Sequence, residues 1–359
     1  MRYILAVIIL VHGLIHFMGF ATAFNYGNMS QISKEISKPF GMLWLSTAFL
    51  FIAATLLYLL KKDAWLFFGF TAVIISQILL ITVWKDAKFG TIANIIILVA
   101  VVLNWGSYHF EKGYQKDVKE NLLRTNGLKT DLLAERDLLL LPEPVQRYLK
   151  YTGVLNKPKL KNVRIVFEGQ MREKGKDFFP FTCVQYNFFD EPTRLFFMKG
   201  SIKGFTVPGY HKYSNANVMM DIRLFGLFSV VKITGEDMNK AETVTLFNDM
   251  CLMAPATLID KRITWQDIDS NSTKAIFTNH GISITAILYF NAQGQMINFI
   301  SNDRDVNHNP FSTPVSNYKN INGINIMTYG EAIWHYPDGK FVYGKFNLKE
   351  IEYNVSELK

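Results

Sequence analysis

Two histidines near the N-terminus are the first residues whose type and spacing could do chemistry. His12 and His16 lie four residues apart in an apolar segment, so a helix places both imidazoles on one face. Ionisable side chains inside a membrane span are functional candidates by default, and paired imidazoles could bind a metal ion or haem, or relay a proton. The segment supplies no further ligand set, whereas Gln77, Asn94 and Asn104 offer polar partners on other apolar segments. We therefore expect this intramembrane pair to pack and hydrogen-bond between helices, without a cofactor.

Five residues near the C-terminus form the best candidate for acid, base or nucleophile chemistry. They are Asp303, Arg304, Asp305, Glu331 and His335. Glu331 and His335 share one face of a predicted strand, because alternate residues of a strand point the same way. The run from Asp303 to Asp305 has the composition of a charged turn, where paired carboxylates are common. We assign no catalytic residue and favour a protein that is not an enzyme.

The cysteines and the charge bear on further kinds of site. Cys183 and Cys251 are too few and too far apart in sequence for a zinc knuckle, and we expect free buried thiols. Lys and Arg number 38 against 30 Asp and Glu, which gives a net charge of +8. The basic residues are scattered, so they suit an anionic membrane surface better than a nucleic acid. The sequence predicts no metal, no cofactor and no nucleic-acid partner.

The chain divides near Ser107 into an apolar part and a longer, more polar part. Four segments before Ser107 fit the roughly 20 apolar residues that a membrane-spanning helix needs. They are Tyr3 to Phe20, Phe40 to Leu60, Ala64 to Trp84 and Gly90 to Trp105. Tryptophans near the span ends and short polar connections favour tight helical hairpins. The sequence thus predicts an integral membrane protein with a four-helix transmembrane domain over residues 1–106.

The charges that flank the spans predict the orientation of the chain. With the N-terminus inside, Arg2, Lys61, Lys62 and the basic residues after Ser107 lie on the inner side and outnumber the outer lysines. This predicts a cytoplasmic C-terminal domain. As an alternative for the first segment, Arg2, the apolar run and Ala21-Thr22-Ala23 have the pattern of a cleaved signal peptide, which would leave the later spans unchanged.

After the spans, a helical connector over residues 107–159 leads to a β domain over residues 160–359. Within the connector we expect one helix from Ser107 to Arg124 and a second that begins at Thr130 and continues through Leu139. After Leu160 the apolar residues alternate with period two, most clearly from Ile282 to Phe290, as in half-buried strands.

Turn signals separate the predicted strands, among them Pro208-Gly209 and Asn322-Gly323. Consecutive hairpins without intervening helices predict a mainly antiparallel sheet that curls into a half-barrel, barrel or sandwich. One helix near residues 236–259 interrupts the strands, and we expect its apolar face to lie on the concave side of the sheet.

Three stretches after Asp131 carry a resemblance to a known family. They are the run from Leu141 to Leu149 (Leu-Pro-Glu-Pro-Val-Gln-Arg-Tyr-Leu), the segment from Leu246 through Ile259 with Trp265, and the run from Tyr329 to Trp334. Together they resemble an uncharacterised bacterial family that is known only as a domain of unknown function. Several members are similar in their N-terminal bundle, which implies a location in the bacterial cytoplasmic (inner) membrane. The resemblance implies no activity and no functional residue. The strand-rich region is also similar to the periplasmic lipoprotein carriers, at the level of fold alone.

An unusually large number of phenylalanines suggests what the β domain binds. Ten occur between Phe178 and Phe228, more than burial of alternate residues requires, and a curved sheet lined with them could hold an acyl chain. An aromatic core without a cavity is the competing interpretation. Our leading hypothesis is that the domain binds a hydrophobic ligand, a lipid, beneath the inserted helix. The predicted ligand-binding residues are Phe247, Met250, Trp265, Trp334 and Glu331. The alternative is a protein-interaction or scaffold module at the membrane, and the third hypothesis is a hydrolase of membrane lipids.

Overall fold

A computed structural model describes residues 2–27 and 31–359 of the protein, in two compact units, Met1–Phe110 and Glu111–Lys359. The first unit is helical. Its helices are α1 Arg2–Ile15, α2 Phe17–Phe24, α3 Lys38–Leu59, α4 Trp65–Thr82, α5 Trp84–Ala87 and the first part of α6 Gly90–Asn126. Four stretches of the described residues are long and apolar enough to cross a membrane, with α1 and α2 together forming the first.

Close helix contacts in the first unit depend on small residues. A Cβ atom on Gly19 of α2 would lie 2.2 Å from a ring carbon of Trp44 on α3, so only glycine allows this approach. Small residues play this role wherever apolar helices pack without a hydrophobic driving force between them. The tight packing around Trp44 leaves it 2% exposed.

The second unit begins with the end of α6 and two short helical elements. Residues 135–138 form a single 3-10 turn, and α7 covers Glu143–Thr152 with Pro144 in its first turn. The predicted helix from Thr130 to Leu139 is therefore wrong for most of its length. The backbone of Leu133 instead hydrogen-bonds to the backbone of Asn156 and Lys157. These bonds satisfy its N–H and carbonyl groups, as the bonds within a helix would have done.

The rest of the unit is an antiparallel sheet with one inserted helix, as the sequence predicts. The strands are β1 Asn162–Met171, β2 Phe179–Phe188, β3 Thr193–Ile202, β4 Phe205–Ser214, β5 Asn217–Leu224, β6 Phe228–Ile233, β7 Ile263–Asp269, β8 Ser272–Asn279, β9 Ile282–Phe290, β10 Met296–Ser301, β11 Phe311–Ser312, β12 Val315–Ser316, β13 Lys319–Ile321, β14 Ile324–Ile326, β15 Tyr329–Tyr336 and β16 Gly339–Tyr353. Between β6 and β7 lie α8 Glu236–Met253 and a 3-10 turn at Pro255–Ile259.

The sheet is open, and its strand order shows how it curves. The order is β6-β5-β4-β3-β2-β1-β16-β15-β11-β10-β9-β8-β7, with β12 also beside β15, while β13 and β14 form a separate hairpin. Helix α8 contacts β4 and β5 near one edge and β9 and β10 near the other, so the sheet must wrap around it. Register shifts at Val166/Phe167 and at Ala332/Ile333 mark bulges in the central strands, and bulges increase local bending.

Turn chemistry is right at one predicted hairpin and wrong at another. Asn322 and Gly323 both have positive φ in the tight β13–β14 turn, as an Asn-Gly pair favours. Pro208-Gly209 instead lies inside β4, and Lys203-Gly204 makes the β3–β4 turn. Strand β5 pairs with β4 only from Gly209 onward, so the missing N–H of Pro208 lies where one side of β4 has no partner strand.

Candidate functional site

A cavity of about 170 Å³ lies between α8 and the concave face of the sheet and is partly open to the outside. Its apolar lining comes from the bulged central strands and from the end of α8. These residues include Phe167, Met171, Phe346, Ala332, Val315, Met327, Leu252 and Met253. The two bulges fall beside Phe167 and Ala332, so the sheet bends at strands that line the cavity.

One wall of the cavity is polar and is organised around Arg194 on β3. The Arg194 Nε atom donates to Asp249 Oδ2 at 2.8 Å, and Nη1 donates to Glu242 Oε2 at 3.3 Å. Both carboxylates belong to α8, so the guanidinium joins helix and sheet. Gln185 and Asn187 on β2 donate to the same Asp249 oxygen at 2.6 and 3.1 Å. Buried charges of this kind are tolerated only when their hydrogen bonds are satisfied, as they are here.

The charges in this wall determine the protonation of their neighbours. Burial alone would raise the pKa of Glu242, but Arg194, His211 and Arg304 together hold that pKa below its ordinary value. Burial lowers the pKa of His211 on β4 to about 4, against the opposing influence of Glu242. At neutral pH the Glu242 carboxylate is therefore ionised and the His211 imidazole is neutral.

Arg304 adds a second guanidinium to the lining, in a different environment. Its carbon Cζ lies 4.0 Å from the ring centre of Phe311 and 5.6 Å from that of Trp334. Nη1 donates to the Tyr343 hydroxyl at 2.6 Å. Among the described residues no carboxylate lies within 4.0 Å of its nitrogens, the distance that defines an ion pair. Arg304 is thus held by aromatic rings and keeps hydrogen-bonding capacity for a polar group.

The five predicted ligand-binding residues occupy different places in this architecture. Glu331 lines the cavity and accepts a hydrogen bond from the Tyr329 hydroxyl at 2.6 Å. Phe247 and Met250 are fully buried in the core on another face of α8, where the Phe247 ring stacks on Phe277 at 5.2 Å.

Trp265 and Trp334 are both half-buried, at different positions of the sheet. Trp265 lies on β7, at the edge of the core. The Trp334 ring on β15 contacts the Phe311 ring, with 5.3 Å between the ring centres. Its ring centre lies 5.6 Å from Arg304 Cζ. A ligand contact by Trp265 or Trp334 stays a prediction, as does one by the other three.

The five residues considered for catalysis are likewise dispersed among separate partners. Asp303 pairs with Lys240 at 2.7 Å, and His335 shares a hydrogen bond of 2.7 Å with Ser312. Burial, followed by the charge of Lys340, lowers the pKa of His335. Of this group, Arg304 and Glu331 reach the cavity.

His12 and His16 form part of a hydrogen-bonded network in the first unit. His16 Nδ1 donates to the His12 carbonyl at 2.7 Å, so its Nε2 is free to accept from Ser76 Oγ at 2.9 Å. His12 Nε2 lies 2.9 Å from Asn94 Oδ1, and Asn94 in turn donates to Gln77 at 3.1 Å. Polar partners on other helices surround the pair, in the manner that interhelical packing requires.

The buried network around Arg194 was missed from the sequence, although a signal for it exists. Glu242, Thr245 and Asp249 recur at intervals of three and four, which places three polar side chains on one face of an inserted helix. The apolar positions of α8, on which the sequence prediction rests, do not indicate this network. A polar stripe on a helix that must be buried beneath a sheet predicts a buried partner, and here the partner is Arg194.

Comparison with known proteins gives a family and a distant likeness. A family model described as "Family of unknown function (DUF6544)" matches residues 131–346. No curated protein matches the chain. Among solved structures, a LolA superfamily protein from Nitrosomonas europaea aligns with 58% of this chain and 92% of its own, at 8% identity and a TM-score of 0.35.

Proposed function

The chain belongs to the family of unknown function DUF6544, and we propose that its β domain binds a hydrophobic ligand, a lipid, in the cavity beneath α8. The observation that carries the proposal is the cavity itself, a space of about 170 Å³ with an apolar floor and a polar wall. Ligand sites combine these two features, since apolar atoms supply affinity and a few polar groups fix orientation.

The size of the cavity limits which part of a ligand it can hold. Drug-sized ligands need roughly 300–1,000 Å³, whereas an apolar cavity of about 150 Å³ holds a molecule such as benzene. At about 170 Å³, the cavity accommodates one end of an acyl chain, and the rest of the ligand extends through the opening. Filling all of it with apolar atoms is worth at most about 4 kcal/mol, roughly a thousandfold in affinity.

The polar wall supports an amphiphilic ligand over a purely apolar one. Arg304 keeps hydrogen-bonding capacity toward the cavity, and its contact with the Phe311 ring fixes the position of the guanidinium. A headgroup with an acceptor oxygen can bind Arg304 while the acyl chain of the same ligand contacts Met171 and Phe346.

We propose further that the protein is a multi-pass protein of a bacterial inner membrane with its β domain in the cytoplasm. Four apolar helices and the excess of basic residues on the side of Arg2, Lys61 and Lys62 support this arrangement. A reporter that is active only in the periplasm, fused after Lys359, should give no signal. A strong signal would reverse the orientation and leave the cavity proposal intact.

Mass spectrometry of lipid that copurifies with the full chain in mild detergent tests the ligand proposal. The variant Ala332→Leu extends a side chain into the cavity, and Thr264→Leu makes a similar change on an exposed position of β7. We expect the wild type and Thr264→Leu to retain a lipid at a fixed molar ratio, and Ala332→Leu to lose it. Equal lipid in all three, or none in any, contradicts the proposal.

A further inference from the structure

Two hairpins have their turns at the same end of the sheet, and apolar residues of the two turns contact each other. Ile202 pairs with Phe205 across the β3–β4 turn, and Leu224 pairs with Phe228 across the β5–β6 turn. The register of β4 on β5 brings the start of β4 next to the second turn, and the rings of Phe205 and Phe225 meet edge to face at 5.7 Å. We call residues 202–205 and 224–228 the hairpin tips.

The hairpin tips expose large apolar side chains to the outside. Phe228 is 64% exposed, Phe205 48% and Ile202 39%. Val230, next along β6, is 57% exposed. Single exposed apolar residues are ordinary, but a contiguous group that includes two phenylalanines marks a surface that contacts something apolar.

The backbone at the second tip holds a phenylalanine in the left-handed region. Phe225 has φ 56° and Gly226 has φ 69°, in a turn that favours Asn or Gly at both positions. At the opposite end of the sheet, Asn215 has the same conformation in the β4–β5 turn, with φ 51°. A side chain other than Gly or Asn costs about 1–2 kcal/mol there, and Lys203 with φ 49° and Ala216 with φ 55° have the same conformation in the two neighbouring turns.

The segment that contains both tips is strongly basic. Between Arg194 and Gly235 the sequence has six Lys or Arg residues and one acidic residue, Asp221. Three of the six pair with carboxylates from outside this segment: Arg194, which is buried, Lys199 and Lys212. Asp221 is buried and bound to Arg223 at 2.8 Å. Lys203 lies within the first tip, between Ile202 and Phe205. Among the described residues no carboxylate lies within 4.0 Å of the ammonium groups of Lys203 and Lys232, so the apolar tips have two unpaired cations on their own strands and turn. This combination complements an anionic lipid interface.

The chain enters the second unit at this same end of the sheet. Glu111, the first residue of the second unit, accepts from Lys199 at 2.7 Å, three residues before the first tip. Further along α6, Arg124 pairs with Asp190 in the β2–β3 turn at the opposite end. Within the second unit, the segment 111–126 thus runs from the tip end to the far end.

From the exposure, the contact of the Phe205 and Phe225 rings, the cations Lys203 and Lys232 and the point of chain entry, we propose that the hairpin tips insert into the anionic interface of the bilayer that holds the apolar helices. Phe205 and Phe228 enter the lipid, and Lys203 binds lipid phosphates. The insertion is independent of what occupies the cavity.

Depth measurements on the full chain test this insertion. The protein is placed in nanodiscs of phosphatidylcholine and phosphatidylglycerol, with an NBD fluorophore on Phe228→Cys or, as the matched control, on Glu191→Cys at the far end of the sheet. Native Cys183 and Cys251 are buried, and wild type labelled in parallel measures their contribution. We expect quenching by lipid-borne doxyl groups to be severalfold stronger at position 228 than at 191, and quenching by aqueous iodide to show the reverse.

Other outcomes overturn the proposal in distinguishable ways. Equal iodide quenching at both positions means that the tips lie in water. Protection of position 228 from both quenchers means that a protein surface covers it. Lys203→Glu should reduce doxyl quenching at 228, and an unchanged value, in that variant or in nanodiscs without phosphatidylglycerol, contradicts the role of anionic lipid.

Discussion

Replacement of Arg194 by methionine probes the polar wall of the cavity most sharply. The guanidinium is 9% exposed and joins Glu242, 5% exposed, and Asp249, 14% exposed. Arg194→Met leaves both carboxylates buried without their cation, while Gln185 and Asn187 still donate to Asp249. Removal of one member of a buried ion pair costs about 3–5 kcal/mol, and we expect this loss of β-domain stability at pH 7.5.

The loss should depend on pH in a defined direction. Without Arg194, burial raises the folded-state pKa of the Glu242 carboxyl above its unfolded value. A group with a raised folded pKa regains stability as the pH falls through that pKa. The difference between wild type and Arg194→Met should therefore shrink from pH 7.5 to pH 5.5. Adding Glu242→Gln and Asp249→Asn to the variant should recover most of the lost stability at pH 7.5, since no unpaired charge remains buried.

The two cysteines provide an assay that reports on the β domain alone. Cys183 and Cys251 are the only cysteines in the sequence, and both are free and buried in the β domain. Burial raises the pKa of the Cys183 thiol to about 12, so the native protein reacts slowly. Pulsed thiol labelling across a urea series gives the free energy of unfolding in detergent.

A surface ion pair supplies the control for this assay. Lys349 and Glu168 are 50% and 55% exposed, and Lys349→Met should cost less than about 1 kcal/mol. A loss below about 1 kcal/mol for Arg194→Met at pH 7.5, or a loss that is the same at pH 5.5, would refute the reasoning.

Three further predictions concern the cavity, the core and the helical unit. Ala332→Leu should leave β-domain stability unchanged or raise it, because the larger side chain fills empty space. Ala275→Leu in the packed core should instead cost about 1–3 kcal/mol by overpacking. Equal effects of the two variants on the free energy of unfolding, measured by thiol labelling, would contradict an empty cavity. Phe247→Ala should cost about 3–5 kcal/mol, since the ring is fully buried against Phe277, and a cost near 1 kcal/mol in the same assay would place the ring at a cavity. Replacement of His12 and His16 together by Asn should preserve folding, measured by size-exclusion chromatography, because Asn still bonds to Ser76 and Asn94; stoichiometric metal or haem in the wild type would contradict that expectation.

The architecture could be predicted because its signals are local. The alternation from Ile282 to Phe290 specifies a strand, and β9 has these bounds. The Asn322-Gly323 pair specifies a tight turn through the conformations open to its two residues. Such features need no knowledge of distant parts of the chain. The apolar spans are local in the same sense, since length and composition alone identify them.

The site could not be predicted in the same way, because its residues come together only through the curvature of the sheet. Arg194 meets Glu242 and Asp249 across 48 and 55 residues of sequence. Whether Phe247 faces the core or the cavity also depends on which strands lie against each face of α8. The residue pattern does not indicate that the polar face of α8 contacts β2 and β3. Two bulges lie beside the cavity lining, and they leave no clear mark in the residue pattern.

Photo-crosslinking of a lipid to the wild-type protein tests the central claim most directly. A fatty acid with a diazirine close to its carboxyl end is incubated with the full chain in detergent and irradiated, and the crosslinked residues are located by peptide mass spectrometry. The account predicts crosslinks at cavity-lining residues such as Met171, Met253 and Phe346, competed by unlabelled fatty acid and abolished in Ala332→Leu. Crosslinks confined to the apolar helices, or unchanged in Ala332→Leu, would contradict a ligand in the β domain.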